Sequence, residues 1–139
     1  MPDQRVRDVM TSNPRAIQPS TPIVEAARMM RSEDTGVLPI LDGERLTAVL
    51  TDRDIVVRAI ADGLDPQTTT AGGVASSELV TIDPEQTLDE ASRLMAQHQV
   101  RRLPVVEEDG RLVGILAQAD LARATDAAQA GQVVQEISQ

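Results

Sequence analysis

Two stretches of the chain place apolar residues on one helix face, and each is followed by two short runs rich in Val, Ile and Leu. Ile23, Ala26, Ala27 and Met30 keep the i, i+3, i+4, i+7 spacing, and Leu88, Ala91 and Met95 keep part of it. Thr21 before Pro22 supplies a start signal for the first helix; Thr87 with Glu90 three residues later forms a capping-box pattern for the second. The runs that follow are Gly36-Val-Leu-Pro-Ile-Leu41 and Arg101-Arg-Leu-Pro-Val-Val106, each leading through an Asp-Gly turn to a second run, 46–50 or 112–116. Aliphatic runs between turn signals predict paired strands, with the proline leaving one strand edge locally unpaired. A second helix closes each pattern, with Ile55, Val56, Ala59 and Ile60 as its apolar face in the first and Leu121, Ala122 and Ala124 in the second.

The same order thus occurs twice. Pro19, Ile23, Ala26, Met29, Met30, Leu38 and Pro39 recur 65 positions on as Pro84, Leu88, Ala91, Leu94, Met95, Leu103 and Pro104. Leu46, Val49, Leu50 and Asp54 recur 66 positions on as Leu112, Ile115, Leu116 and Asp120, so one insertion falls in the hairpin turn. The expected organisation is repeat 1 over 1–63, a Gly/Thr-rich linker over 64–73, repeat 2 over 74–125 and a tail over 126–139, whose Val133, Val134 and Ile137 suit either a docked helical turn or a frayed end. A unit of about 60 residues buries too little surface alone, so the copies are expected to share a core.

Composition narrows the chemistry. With 41% hydrophobic and 25% charged residues the chain is of the folded kind. It has no Cys, which removes disulfides, thiolate metal sites and cysteine nucleophiles, and no Lys, which removes Schiff-base chemistry and the P-loop lysine. His98 is the single histidine, so one chain cannot offer two histidines to a metal. Phe, Trp and Tyr are absent, leaving an aliphatic core and no stacking platform for single-stranded nucleic acid. The net charge of −9 repels phosphate backbones and anionic membranes. Neither an apolar leader nor a membrane-length apolar run is visible, and a cytoplasmic location is the default expectation.

Two copies of helix, strand, strand, helix, with Leu-Pro in the first strand and an Asp after the second, resemble the cystathionine β-synthase (CBS) domain over roughly residues 6–125. The segments Leu50-Thr-Asp-Arg-Asp-Ile-Val-Val-Arg58 and Gln97-His-Gln-Val-Arg-Arg-Leu-Pro-Val-Val106 look like common bacterial versions, and the chain is similar to small stand-alone CBS pairs of the hypoxic-response type. The resemblance implies an α+β (α/β) tandem pair, two pseudo-two-fold-related repeats with small sheets face to face and helices outside. It also implies two clefts that in many relatives hold adenine nucleotides or adenosyl compounds and in others are empty. No further domain is expected beside the pair.

The family's ligand signature, a Thr or Ser at the end of the second strand with an Asp three residues on, is matched by Thr51 and Asp54. A carboxylate can accept both hydroxyls of a ribose diol, and a hydroxyl and helix N-terminal amides can donate to phosphate. The same residue types also cap helices, and the spacing alone leaves both readings open. Repeat 2 retains Asp120 but has Ala117 where repeat 1 has Thr51, and it brings Arg101 and Arg102 before Leu103-Pro104 where repeat 1 has Gly36 and Val37 before Leu38-Pro39. The implied ligand set is therefore Val37, Leu38, Pro39, Thr51 and Asp54 with Arg101, Arg102, Leu103, Pro104 and Asp120. If the clefts adjoin, the arginines serve a phosphate whose ribose Asp54 or Asp120 holds; the competing reading pairs them with Glu107, Glu108 or solvent. His98 suits a helix C-terminus, where its charge complements the dipole. Met10, Met29, Met30 and Met95 read as gap fillers, and Gly114 as a place where a backbone or ligand comes close.

The leading functional expectation is a non-enzymatic regulatory module of stress-response type. It needs no cofactor, binds AMP, ADP, ATP (with Mg²⁺ beside a triphosphate) or S-adenosylmethionine, and signals to a protein partner. The alternative is a homodimeric scaffold with vestigial clefts, whose interface is the face of Ile55, Val56, Ala59 and Ile60. No nucleophile, base and orienter constellation for an enzyme is visible.

Overall fold

The computed structural model describes residues 4–126, and the expected tail beyond Asp126 lies outside the described residues. The fold mixes helices with small antiparallel sheets, in two compact units: Arg15–Leu79 with Glu108–Leu112, and, of the described residues, 4–14 with Val80–Glu107 and 113–126.

In the repeat-1 unit, helix α2 (Ile23–Glu33) leads to the hairpin of β2 (Val37–Asp42) and β3 (Arg45–Thr51), whose register pairs Val37 with Thr51 and Leu38 with Leu50. Pro22 stands at the α2 N-cap, and the first helical amides are taken by main chain from the expected linker: Ile23 N–H donates to Thr69 O (2.9 Å) and Val24 N–H to Pro66 O (3.0 Å). The linker is thereby tied to the repeat it follows. After β3 comes α3 (Asp52–Asp54), which passes directly into a π-helical stretch, Ile55–Ile60.

The repeat-2 unit has the same parts. Helix α5 (Leu88–His98) opens with the expected capping box, Glu90 N–H donating to Thr87 Oγ1 at 3.2 Å, and ends at His98. Strands β4 (Arg102–Val106) and β5 (Leu112–Ala117) follow, and a last helix, α6, is described over 118–126. The C-caps Asp34 and Gln99, 65 positions apart, both take the left-handed conformation that ends a helix.

Two short helices are each held by the main chain just before a long helix. α1 (Val6–Val9), near the start of repeat 1, donates Val6 N–H to Gln86 O (2.9 Å) and Arg7 N–H to Pro84 O (3.0 Å), in the repeat-2 unit. α4 (Ala71–Val74), which precedes repeat 2, donates Ala71 N–H to Thr21 O (2.7 Å) and Gly72 N–H to Pro19 O (2.9 Å), in the repeat-1 unit. The strand edges follow suit: β1 (Thr11–Ser12) pairs with β5, and Ser76 bridges to Val49 of β3. On the opposite edges, Ile17 lies parallel to Ile40 and Ile82 parallel to Val105. Each sheet thus takes one edge from the segment before its own repeat's first long helix and the other from the segment before the other repeat's first long helix.

The cores repeat as well. Ile17, Ala26, Met30, Leu38, Ile40 and Leu50 are buried in one, and Ile82, Ala91, Met95, Leu103, Val105 and Leu116 in the other. Gly114 sits where a side chain would strike Met10 Sδ and come within 2.9 Å of Thr11 O, so the close approach expected there is made by the backbone of β1 and by Met10. In repeat 1 the matching positions are Ala48 and Ala75, a pair of small side chains against the same core.

Candidate functional site

The turn from β3 into α3 is a reciprocal cap. Thr51 ends the strand in extended conformation, its Oγ1 accepts Asp54 N–H at 3.0 Å, and Asp54 Oδ2 accepts Thr51 N–H at 3.0 Å. The capping role of these residues is real, but it engages only one carboxylate oxygen of Asp54. Oδ1 lies 3.9 Å from Arg58 Nε, too far for a hydrogen bond, and the Asp54 side chain is 14% exposed. Arg58 is held elsewhere, its Nη1 donating to Val74 O and Ala75 O at 3.3 Å each.

The matching turn in repeat 2 keeps half of this arrangement. Asp120 Oδ2 accepts Ala117 N–H at 2.8 Å, while the alanine offers no hydroxyl in return. Asp120 Oδ1 is bound by Arg123 Nη2, and the Asp120 side chain is 9% exposed. Both oxygens of this carboxylate are therefore engaged.

The remaining expected residues divide by unit. Val37 is half-buried beside Thr51 in the β2–β3 register. Leu38 and Leu103 are fully buried in their cores and Pro39 and Pro104 are buried with them, with Pro39 O accepting Ile17 N–H and Pro104 O accepting Ile82 N–H. The leucines face the cores, and the prolines, next along each strand, alternate to the other face of the sheet. Arg101 and Arg102 are exposed at the entry to β4, and Arg101 O accepts Gln118 N–H at 2.7 Å, which joins that entry to the start of α6. No ion pair engages either guanidinium among the described residues. Arg101 and Gln118 also border a groove of about 720 Å³ between α5 and α6, floored by Met95, Val100 and Leu121.

Of the apolar face expected on the second helix of repeat 1, Ala59 is fully buried and Ile55 is partly buried against the core of its own unit, whereas Val56 and Ile60 are 58% and 52% exposed. The i→i+5 bonding of the π-helical stretch, seen in Ala61 N–H to Val56 O, turns the chain less per residue than an α-helix does. Positions that share an α-helical face are thereby separated. Val57 and Leu64 are exposed with them and were not singled out by the α-helical pattern. Arg58 and Arg123 were missed too, although Asp-Arg spacings of four and three residues on a helix are a recognisable pairing signal.

Among the described residues no group of three or more His, Cys, Asp or Glu is placed to hold a metal ion, and no helix is long and apolar enough to cross a membrane.

A sequence profile of the CBS domain matches residues 6–60 and 71–126. Hypoxic response protein 1 of Mycobacterium tuberculosis is 44% identical over 118 residues, 84% of this chain and 82% of that protein. The crystal structure of Hypoxic Response Protein I with two coordinated zinc ions aligns at a TM-score of 0.80 and 43% identity, covering 86% of this chain and 98% of that one. The crystal structure of CBSX2 in complex with AMP aligns at a TM-score of 0.80 and 26% identity, covering 91% and 98%.

Proposed function

Because the chain belongs to the CBS-domain family, we propose that it is a non-enzymatic regulatory module that binds an adenine nucleotide at the strand-to-helix turns of its repeats and relays occupancy to a protein partner. The observation that carries this reading is Asp54: a partly exposed carboxylate, fixed at one oxygen by the Thr51 cap and open at the other. A ribose diol donates to such an oxygen, and AMP is the ligand of the CBSX2 complex. S-adenosylmethionine shares the adenosyl group and belongs to the same ligand class. Arg101 and Arg102, exposed and without ion-pair partners among the described residues, suit a phosphate near Asp120. The zinc of the hypoxic-response structure has no counterpart here in a cluster among the described residues. A cytoplasmic location belongs to this reading.

A second reading, a homodimeric scaffold with ligand-free clefts, is favoured by the engaged Asp120 and by the exposed apolar group Val56, Val57, Ile60 and Leu64. A dye-based thermal melt with AMP, ADP, ATP with and without Mg²⁺, and S-adenosylmethionine separates the two. Ligand at 100 times its dissociation constant stabilises by about 2.7 kcal/mol and raises the midpoint by several degrees. A selective rise supports the nucleotide module. A cooperative melt that none of these ligands moves supports the scaffold.

A further inference from the structure

The two aspartates differ in what their second oxygen does, and the difference comes from an arginine displaced by one residue along the helix. In repeat 1 the arginine is Arg58, four residues after Asp54; in repeat 2 it is Arg123, three residues after Asp120, while Ala124 stands at the register of Arg58 and Val57 at the register of Arg123. Arg58 reaches the carbonyls of Val74 and Ala75 and stays 3.9 Å from Asp54 Oδ1. Arg123 has no such carbonyl partners among the described residues and turns onto Asp120 Oδ1. We infer that Arg123 is a built-in competitor for the repeat-2 carboxylate, so that a ribose diol is taken first by Asp54 and by Asp120 only when Arg123 lets go.

The inference rests on the nucleotide reading above and adds an order of occupancy to it. An ionised carboxylate accepts at both oxygens, and in each repeat one of them is given to the main-chain N–H of the strand end. At Asp54 the other accepts no hydrogen bond, with Arg58 Nε no nearer than 3.9 Å, and is available to the diol. At Asp120 the diol has to displace a charge-assisted contact, and Ala117 leaves the turn without the hydroxyl that Thr51 provides in repeat 1. The Arg123 side chain is 73% exposed, so the contact is screened and reversible and makes a graded competitor, weakening the second site by up to about five-fold.

The test is titration calorimetry of the full chain with AMP and, separately, with adenosine, which carries the diol without the phosphate. The variants are Arg123→Ala, Asp54→Asn and the double variant, and far-UV circular dichroism melts verify folding. Asparagine keeps a cap acceptor at position 54, so the capped turn survives the loss of charge. The expected result is a tighter event that Asp54→Asn removes and a weaker one that Arg123→Ala tightens by up to about five-fold, for adenosine as for AMP. In the Asp54→Asn background the same tightening is expected of the event that remains.

Two events of equal affinity in the unmodified chain, or weaker binding in Arg123→Ala, overturn the competition while leaving the nucleotide reading in place. Weaker AMP binding with unchanged adenosine binding in Arg123→Ala also overturns it, because Arg123 then contacts the phosphate. Absence of AMP and adenosine binding in both the unmodified chain and Arg123→Ala overturns the nucleotide reading and this inference with it.

Discussion

The strand-to-helix turn of repeat 1 and that of repeat 2 share a backbone path and an aspartate, yet one is a completed cap with an open carboxylate oxygen and the other an incomplete cap with a closed one. The difference arises from three substitutions in equivalent registers, Thr51 against Ala117, Val57 against Arg123 and Arg58 against Ala124. Duplication conserves what the fold needs. The main-chain N–H at the strand end finds an acceptor in both repeats, since an unsatisfied donor there costs about 1–3 kcal/mol. The hydroxyl and the arginine are answerable to less and have diverged. The elements beside the turns diverged too: Ala59 is buried in its core, whereas Thr125, its counterpart, is exposed.

The largest effect that breaks the comparison is expected at the β1–β5 edge. Gly114→Ala drives a methyl into Met10 and Thr11 O and is expected to destabilise by about 1–3 kcal/mol, measured by urea unfolding. Adding Met10→Ala recreates the Ala48–Ala75 pairing of repeat 1 and is expected to relieve the clash with the Met10 side chain, leaving the approach to Thr11 O. A Gly114→Ala chain as stable as the original contradicts the steric account.

Next in size is the cap. Thr51→Ala is expected to cost about 1 kcal/mol by loss of the bond to Asp54 N–H, and Ala117→Thr to stabilise by a similar amount, because it supplies the missing half of the repeat-2 cap. The same unfolding measurement reads both, and a change of the same sign at the two sites contradicts the asymmetry.

The smallest effect concerns the long helices. Glu90 is held below the ordinary glutamate pKa by hydrogen bonds from the Gln86 side chain, then from the Thr87 main chain and hydroxyl, with Arg93 adding a weaker attraction against slight desolvation. A lowered folded pKa contributes stability that is present above the unfolded value and lost as the pH falls through the folded one. The stability difference between the unmodified chain and Glu90→Gln is therefore expected to shrink as the pH is taken below the usual glutamate range. Pro22 stands at the equivalent position in repeat 1 and has no N–H to offer, so the α2 start lacks the main-chain half of this capping box.

The long helices, the hairpins and the repeat were legible because each leaves a period in the sequence: Ile23 to Met30 along one helix face, Leu46 to Leu50 between turn residues, and the insertion in a hairpin turn where length is tolerated. The exchange of α1 and α4 was not legible. Four residues such as Val6–Val9 form a single helical turn, and nothing in them specifies a partner at Gln86 rather than nearby. The π-helical stretch was hidden for a related reason, since Ile55, Val56, Ala59 and Ile60 fit an α-helical face and only the observed bonding separates Ala59 from the others. At the candidate site Thr51, Asp54 and Asp120 were readable as residue types. What their oxygens do depends on where Arg58 and Arg123 swing, and that is decided by tertiary acceptors such as Val74 O.

The most direct test of the central claim is titration calorimetry of AMP into the unmodified chain and into Asp54→Asn. Saturable binding whose tighter event Asp54→Asn weakens about ten-fold or more is the predicted result, in keeping with the loss of a hydrogen bond to a charged group. No binding to the unmodified chain, or equal binding to both, contradicts a nucleotide held at Asp54.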